Sequence, residues 1–190
     1  HQAYSLRTPG LVSDQDGGTV FTDSIAPASN RVGVRVNMYS YAFGNDPDRD
    51  YVIVRYDIRN ISGGTLSNLY AGLFFDWDMH DPGELDGLYF AHNRTSFDAS
   101  RSLGYARYDT TASTVYAGAR ALEGAGGYAG LIRDSVSGTR EEKWSWLSGG
   151  VRLTSRTDDI HFVISSGPYT IGDGGAQTVG FALLGGPDLS

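Results

Sequence analysis

The chain has 190 residues, a formal net charge of −7, 26 glycines, 12 tyrosines, 19% charged residues and no cysteine. The acidic balance argues against nucleic acid, which needs clustered Lys and Arg to displace counterions, and against anionic membrane surfaces. Without cysteine there are no disulfides and no thiolate metal sites, and no apolar run approaches the roughly 18 residues of a membrane-spanning helix. Lys143 is the one lysine, and the arginines are scattered. The chain begins at His1, with no initiator Met and no apolar leader. A domain excised from a longer secreted protein is the expectation.

Glycine- and tyrosine-rich composition with few charges suits short strands and tight turns. Ala3–Leu6 and Thr19–Ser24 are weak strand candidates separated by SDQDGG, which reads as a turn. In NRVGVRVNMYSYAF, Val32, Val34, Val36 and Met38 share one face before Tyr39, Tyr41 and Phe43 take over on the other; such a phase switch predicts a bulge or a strand passing between sheets. The stretch Asp50 to Met79 is the strongest signal. Val52, Val54, Tyr56 and Ile58 alternate with polar neighbours, and Leu69, Ala71, Leu73, Phe75 and Trp77 share a face opposite Tyr70, Gly72, Phe74, Asp76 and Asp78. Gly63-Gly64 lies between the two arms, which predicts a hairpin.

Shorter strands are expected at Leu88–Ala91, Leu103–Tyr108, Thr114–Ala119 and Tyr128–Ile132. Residues 139–147, TREEKWSWL, form the one convincing helical segment, with Thr139 as N-cap, Glu142 completing a capping box and Gly149-Gly150 as the stop. Ile160–Ser165 and Gln177–Leu184 close the chain. In them Ile160, Phe162, Ile164, Val179, Phe181 and Leu183 face inward. The expected fold is all-β: a two-sheet antiparallel β-sandwich of roughly 10–12 strands with one short helix, spanning 1–190 as a single domain.

The predicted hairpin has a chemical consequence. Pairing about Gly63-Gly64 places residues whose numbers sum to about 127 opposite each other. That register gathers Asp46, Asp48 and Asp50 with Asp76, Asp78 and Asp81, followed by Glu84 and Asp86. Clustered carboxylates repel unless they are screened, protonated or bridged by a hard cation, and Ca²⁺ accepts six to eight oxygens in flexible loops. The cofactor expectation is a structural Ca²⁺ at this end, set against simple solvated turns rich in Asp, Pro and Gly. Tyr51 stands where an EF-hand needs its glycine, so that motif is excluded.

Other chemistries leave weaker traces. His80, His92 and His161 lack zinc-site spacing, and His161 is expected on the outward face of its strand. No G-x-S-x-G, G-x-G-x-x-G or P-loop pattern occurs. Asp76 and Asp78 could serve as a glycosidase pair, the basis of a carboxylate-dependent glycan hydrolase reading. Tyr70, Phe74, Trp144 and Trp146 could form a sugar-stacking surface, although core packing uses the same residue types. Trp144 and Trp146 fall on different faces of the helical turn, so at least one should be exposed. Asn60-Ile61-Ser62 and Asn93-Arg94-Thr95 fit the N-glycosylation pattern.

The stretch YVIVRYDIRNISGGTLSNLYAGLFFDWDM resembles accessory domains of large secreted bacterial proteins, some of them beside subtilisin-like proteases. SGPYTIGDGGAQTVGFALLGG is similar to the terminal strand pair of those modules. The resemblance covers under a third of the chain. It implies a secreted, extracellular, non-catalytic β-sandwich whose partners are other domains of the same polypeptide, and it carries no functional residues across. The expected role is adhesion, targeting or support of a neighbouring domain, with carbohydrate binding to a polysaccharide as the alternative.

Overall fold

The period-two patterns fold into strands in a computed structural model that describes residues 2–79, 89–108, 115–154 and 157–188. The strands are β1 (Ser5–Arg7), β2 (Gln15–Thr22), β3 (Val34–Ala42), β4 (Tyr51–Asn60), β5 (Leu66–Asp76), β6 (Asn93–Asp98), β7 (Leu103–Tyr108), β8 (Tyr116–Ala121), β9 (Gly127–Ile132), β10 (Gly150–Arg152), β11 (Ile160–Ile171) and β12 (Ala176–Gly186). Among the described residues the one α-helix, α1, is Arg140–Ser148. An eight-stranded sheet has the order β1-β2-β3-β4-β12-β8-β7-β6, and a four-stranded sheet the order β10-β9-β11-β5. The all-β, two-sheet class expected from the sequence is observed.

The predicted hairpin is not. β4 lies between β3 and β12 in the larger sheet, whereas β5 pairs with β11 at one edge of the smaller one. Gly63-Gly64 is therefore a link between sheets, and the register that gathered the carboxylates does not exist. A second departure is that β10 runs parallel to β9, with Gly150 beside Gly127. Parallel neighbours need a long crossover, and α1 supplies it.

The chain resolves into two compact units, one of His1–Leu69 with Pro168–Ala182, the other of Tyr70–Gly167 with Leu183–Ser190. β5, β11 and β12 contribute residues to both. In the first unit, β3 pairs in unbroken register with β4 from Val34 to Ala42 and with β2 from Arg35 to Ala42, and it stays in one sheet, so neither the expected bulge nor a passage between sheets occurs. SDQDGG is no turn throughout either, since β2 begins at Gln15. Val36, Val54, Ile58, Val179 and Phe181 are buried here, and the Tyr56 ring meets Phe181 edge-on with centroids 6.3 Å apart. Gly33 has φ +84°, and a Cβ there would stand 2.7 Å from the Ser62 Cα, so the position requires glycine.

In the second unit, β11 is buried on both faces. Phe162 packs against Phe75, Trp77 and Tyr128 at centroid distances of 5.0, 5.6 and 5.7 Å. On the opposite face Val163 joins Ala129, Leu131 and Trp146 in a cluster beneath α1. The helix starts with the predicted capping box: the Glu142 amide donates to the Thr139 hydroxyl, and the Glu142 carboxylate accepts from the Thr139 amide. The Thr139 amide, with that of Ser137, also holds the Glu142 carboxyl below its ordinary pKa. Its last turn is pinned by Ser165, whose hydroxyl donates to the Leu147 carbonyl at 2.6 Å. Sequence periodicity missed β6 entirely; of the strand expected at Leu88–Ala91, Leu88 lies outside the described residues and 89–91 belong to a 3-10 turn, Tyr89–His92.

Candidate functional site

All parts of the site belong to the second unit. Alternation along β5 leaves Gly72, Phe74 and Asp76 exposed while Leu73 and Phe75 turn toward the packed side, as the sequence predicts. Gly72 matters for packing: a Cβ there would come within 2.4 Å of a Leu147 methyl, so its absence lets α1 approach the strand. Between the two runs a groove of about 620 Å³, lined by Gly72, Phe74, Val136, Lys143, Trp146 and Leu147 among others. His161 and Arg133 also line it.

His161 is the notable member. It is 9% exposed, and neither ring nitrogen has a hydrogen-bond partner. Its Nε2 lies 3.3 Å from Asp76 Oδ1 and 3.8 Å from Asp159 Oδ1, within ion-pair reach but outside hydrogen-bond geometry. Phe74 meets the imidazole edge-on, with centroids 5.1 Å apart. Asp159 turns its other oxygen, Oδ2, to Arg133 Nη1 at 2.9 Å. That bond raises the Arg133 pKa above its ordinary value. Among the described residues, Asp76, Asp159 and His161 are the group of His, Asp and Glu whose potential ligand atoms all lie within 4.8 Å of one another.

The outcome for each expected site residue follows from this. Asp46, Asp48 and Asp50 fall in the first unit, where Arg49 Nε sits 2.9 Å from Asp46 and 3.8 Å from Asp50, and the Tyr51 hydroxyl donates to Asp48 at 2.6 Å. Asp76 and Asp78 fall in the second unit, both exposed. Asp81, with His80, Glu84 and Asp86, lies outside the described residues. Of the aromatic set, Tyr70 and Trp144 pair edge-to-face at 5.5 Å, with Trp144 51% exposed, and Phe74 is 52% exposed. Trp146 is a correction: at 7% exposed it is a core ring at the groove floor. Its face of α1 points at Ala129 and Leu131, which the helix must cover.

His161 is a second correction, buried rather than outward. The available signal was Val163, an apolar residue on the same strand face. Both glycosylation patterns lie on buried asparagines, Asn60 at 0% and Asn93 at 1% exposed. Asn93 Oδ1 accepts from the Met79 amide at 3.1 Å. The first unit has a smaller hollow of about 330 Å³ beside Asp16. There the Ser13 hydroxyl and the Leu11, Val12 and Ser13 amides all donate to Asp16 and hold its carboxyl down at about 2.

The fold and groove define an all-β chain of two sheets with one short helix. No family model matches the chain, and no curated protein matches it.

Proposed function

We propose that the chain is a non-catalytic extracellular module serving adhesion, targeting or the support of a neighbouring domain, and that the groove between α1 and strand β5 is its contact surface. The observation that carries this reading is the pair of half-exposed rings, Trp144 and Phe74, beside an apolar groove. Stability does not call for large rings in water, and exposed apolar surface of this kind marks interaction sites. The secreted setting rests on the resemblance of the β4–β5 and β11–β12 stretches to accessory domains.

Polysaccharide is the ligand class that the surface favours among the alternatives. Flat rings stack on sugar faces, and Lys143, Arg133 and Asp76 supply donors and acceptors for hydroxyls. A glycan array with the wild-type chain and with Trp144→Ala and Phe74→Ala tests it. Each substitution is expected to weaken binding about three- to tenfold. Silence across polysaccharides would leave the neighbouring domain as the partner. Turnover of a glycan that Asp76→Asn or Asp78→Asn abolishes would replace the non-catalytic reading with a hydrolase. Among the described residues, calcium would draw on Asp46, Asp48 and Asp50, already engaged by Arg49 and Tyr51.

A further inference from the structure

We propose that Asp76, Asp159 and His161 bind a divalent transition metal, zinc first, with one coordination position left open to solvent. The inference stands independently of any ligand in the groove. Its starting point is the imidazole. A buried ring nitrogen with no hydrogen-bond partner is costly, and here Nε2 faces two carboxylate oxygens at once, at 3.3 and 3.8 Å. A proton on Nε2 would draw one carboxylate to about 2.8 Å in line with the N–H. Neither oxygen takes that place. Ligands around a tetrahedral zinc, each at about 2.0–2.1 Å from the ion, stand about 3.4 Å from one another. The observed separations match that edge to within a few tenths of an ångström.

The donor set selects the ion. One imidazole nitrogen and two carboxylate oxygens suit zinc and its first-row neighbours, whereas Ca²⁺ takes six to eight oxygens and Cu(I) takes sulfur. The surroundings supply what a three-ligand site needs. Arg133 holds the outer oxygen of Asp159 and leaves Oδ1 directed at His161, as outer partners of metal-bound carboxylates do. Phe74 packs against the ring and fixes its plane. The Asp76 side chain is 55% exposed, which provides an entry path and room for a water as fourth ligand. β5 and β11 are neighbours in the smaller sheet, so Asp76 and His161 come from rigid paired strands, and Asp159 directly precedes β11.

The test uses the whole chain, stripped with EDTA and dialysed. Calorimetric titration with Zn²⁺ is expected to show one strong site per chain, and Co²⁺ to give the visible absorption of a tetrahedral centre. Ca²⁺ should not compete. Asp76→Asn, at an exposed position that leaves packing intact, and His161→Gln are each expected to weaken Zn²⁺ binding about 100-fold or more, with circular dichroism confirming the fold. His92→Gln should bind like the wild type. Absence of a stoichiometric Zn²⁺ site would overturn the proposal. Unchanged affinity in Asp76→Asn would overturn it equally, even if His161→Gln failed to fold.

Discussion

Replacing Asn60 by alanine tests how the first unit is held together. The side chain has no exposed surface and uses four hydrogen bonds: Nδ2 donates to the Gly64 carbonyl at 2.6 Å and the Ile171 carbonyl at 2.8 Å, and Oδ1 accepts from the Ser62 amide at 2.9 Å and the Ser62 hydroxyl at 2.7 Å. Its main chain exchanges two more with Gly174 and Gly175, which alanine would keep. Ser62 and Gly64 are exposed and regain water when the amide goes, at a cost of about 1 kcal/mol. Ile171 is 4% exposed, so loss of its donor costs about 1–3 kcal/mol. The sum is about 2–4 kcal/mol, or roughly 5–15 °C in Tm for a chain of this size. Urea unfolding followed by circular dichroism measures it. A destabilisation below about 0.5 kcal/mol would refute the accounting. Asn60→Asp separates the terms, because a carboxylate offers no donor to either carbonyl and must cost more than alanine; a smaller cost would refute the two carbonyl bonds. The same burial predicts that the folded chain is not modified at Asn60 or Asn93, which mass spectrometry after expression in a glycosylating host would show.

The two helix tryptophans should behave oppositely in thermal melts. Trp146→Ala empties a core position and is expected to cost about 3–5 kcal/mol, while Trp144→Ala should stay within about 1 kcal/mol of the wild type; equal losses would contradict their placement. Asp16 predicts acid sensitivity. Its folded pKa lies below the ordinary value of 3.8, so its stabilisation is fully present above about pH 4 and is lost as the pH falls toward about 2. Asp16→Asn should flatten the fall in urea midpoint across that window, and an unchanged slope would show that Asp16 does not carry it. Addition of Ca²⁺ is expected to leave the melting midpoint unmoved, given the partners of Asp46, Asp48 and Asp50; a rise that Asp48→Asn abolishes would restore a calcium site there.

Local structure was legible in the sequence where it depends on near neighbours. Thr139 and Glu142 stand three apart and announce their own helix start, and the alternation through β5 says which residues share a face whatever the strand pairs with. Pairing itself is a long-range choice. Gly63-Gly64 suits a tight turn equally well between hairpin partners or between strands of different sheets, and nothing local reveals that β5 pairs with β11. The candidate site inherits that difficulty. Asp76 was visible as a carboxylate on an exposed face, but its neighbours lie more than eighty positions later, Asp159 just before β11 and His161 within it. His161 was hidden because period two assigns a side chain to a face without saying whether that face is covered. α1 covers it.

The strand order also fixes when each sheet can be completed. β11 lies between β9 and β5, and β12 between β4 and β8, yet both come after every other strand in the chain. As the polypeptide is made, each sheet therefore waits as two fragments with open inner edges, rich in unpaired amides and carbonyls. Assembly is gated by the arrival of its final pair of strands, a non-local closure of the kind that slows folding and exposes the unfinished chain to self-association. Loss of β11 or β12 would split a sheet through its middle, whereas loss of β1 would only shorten one at its margin.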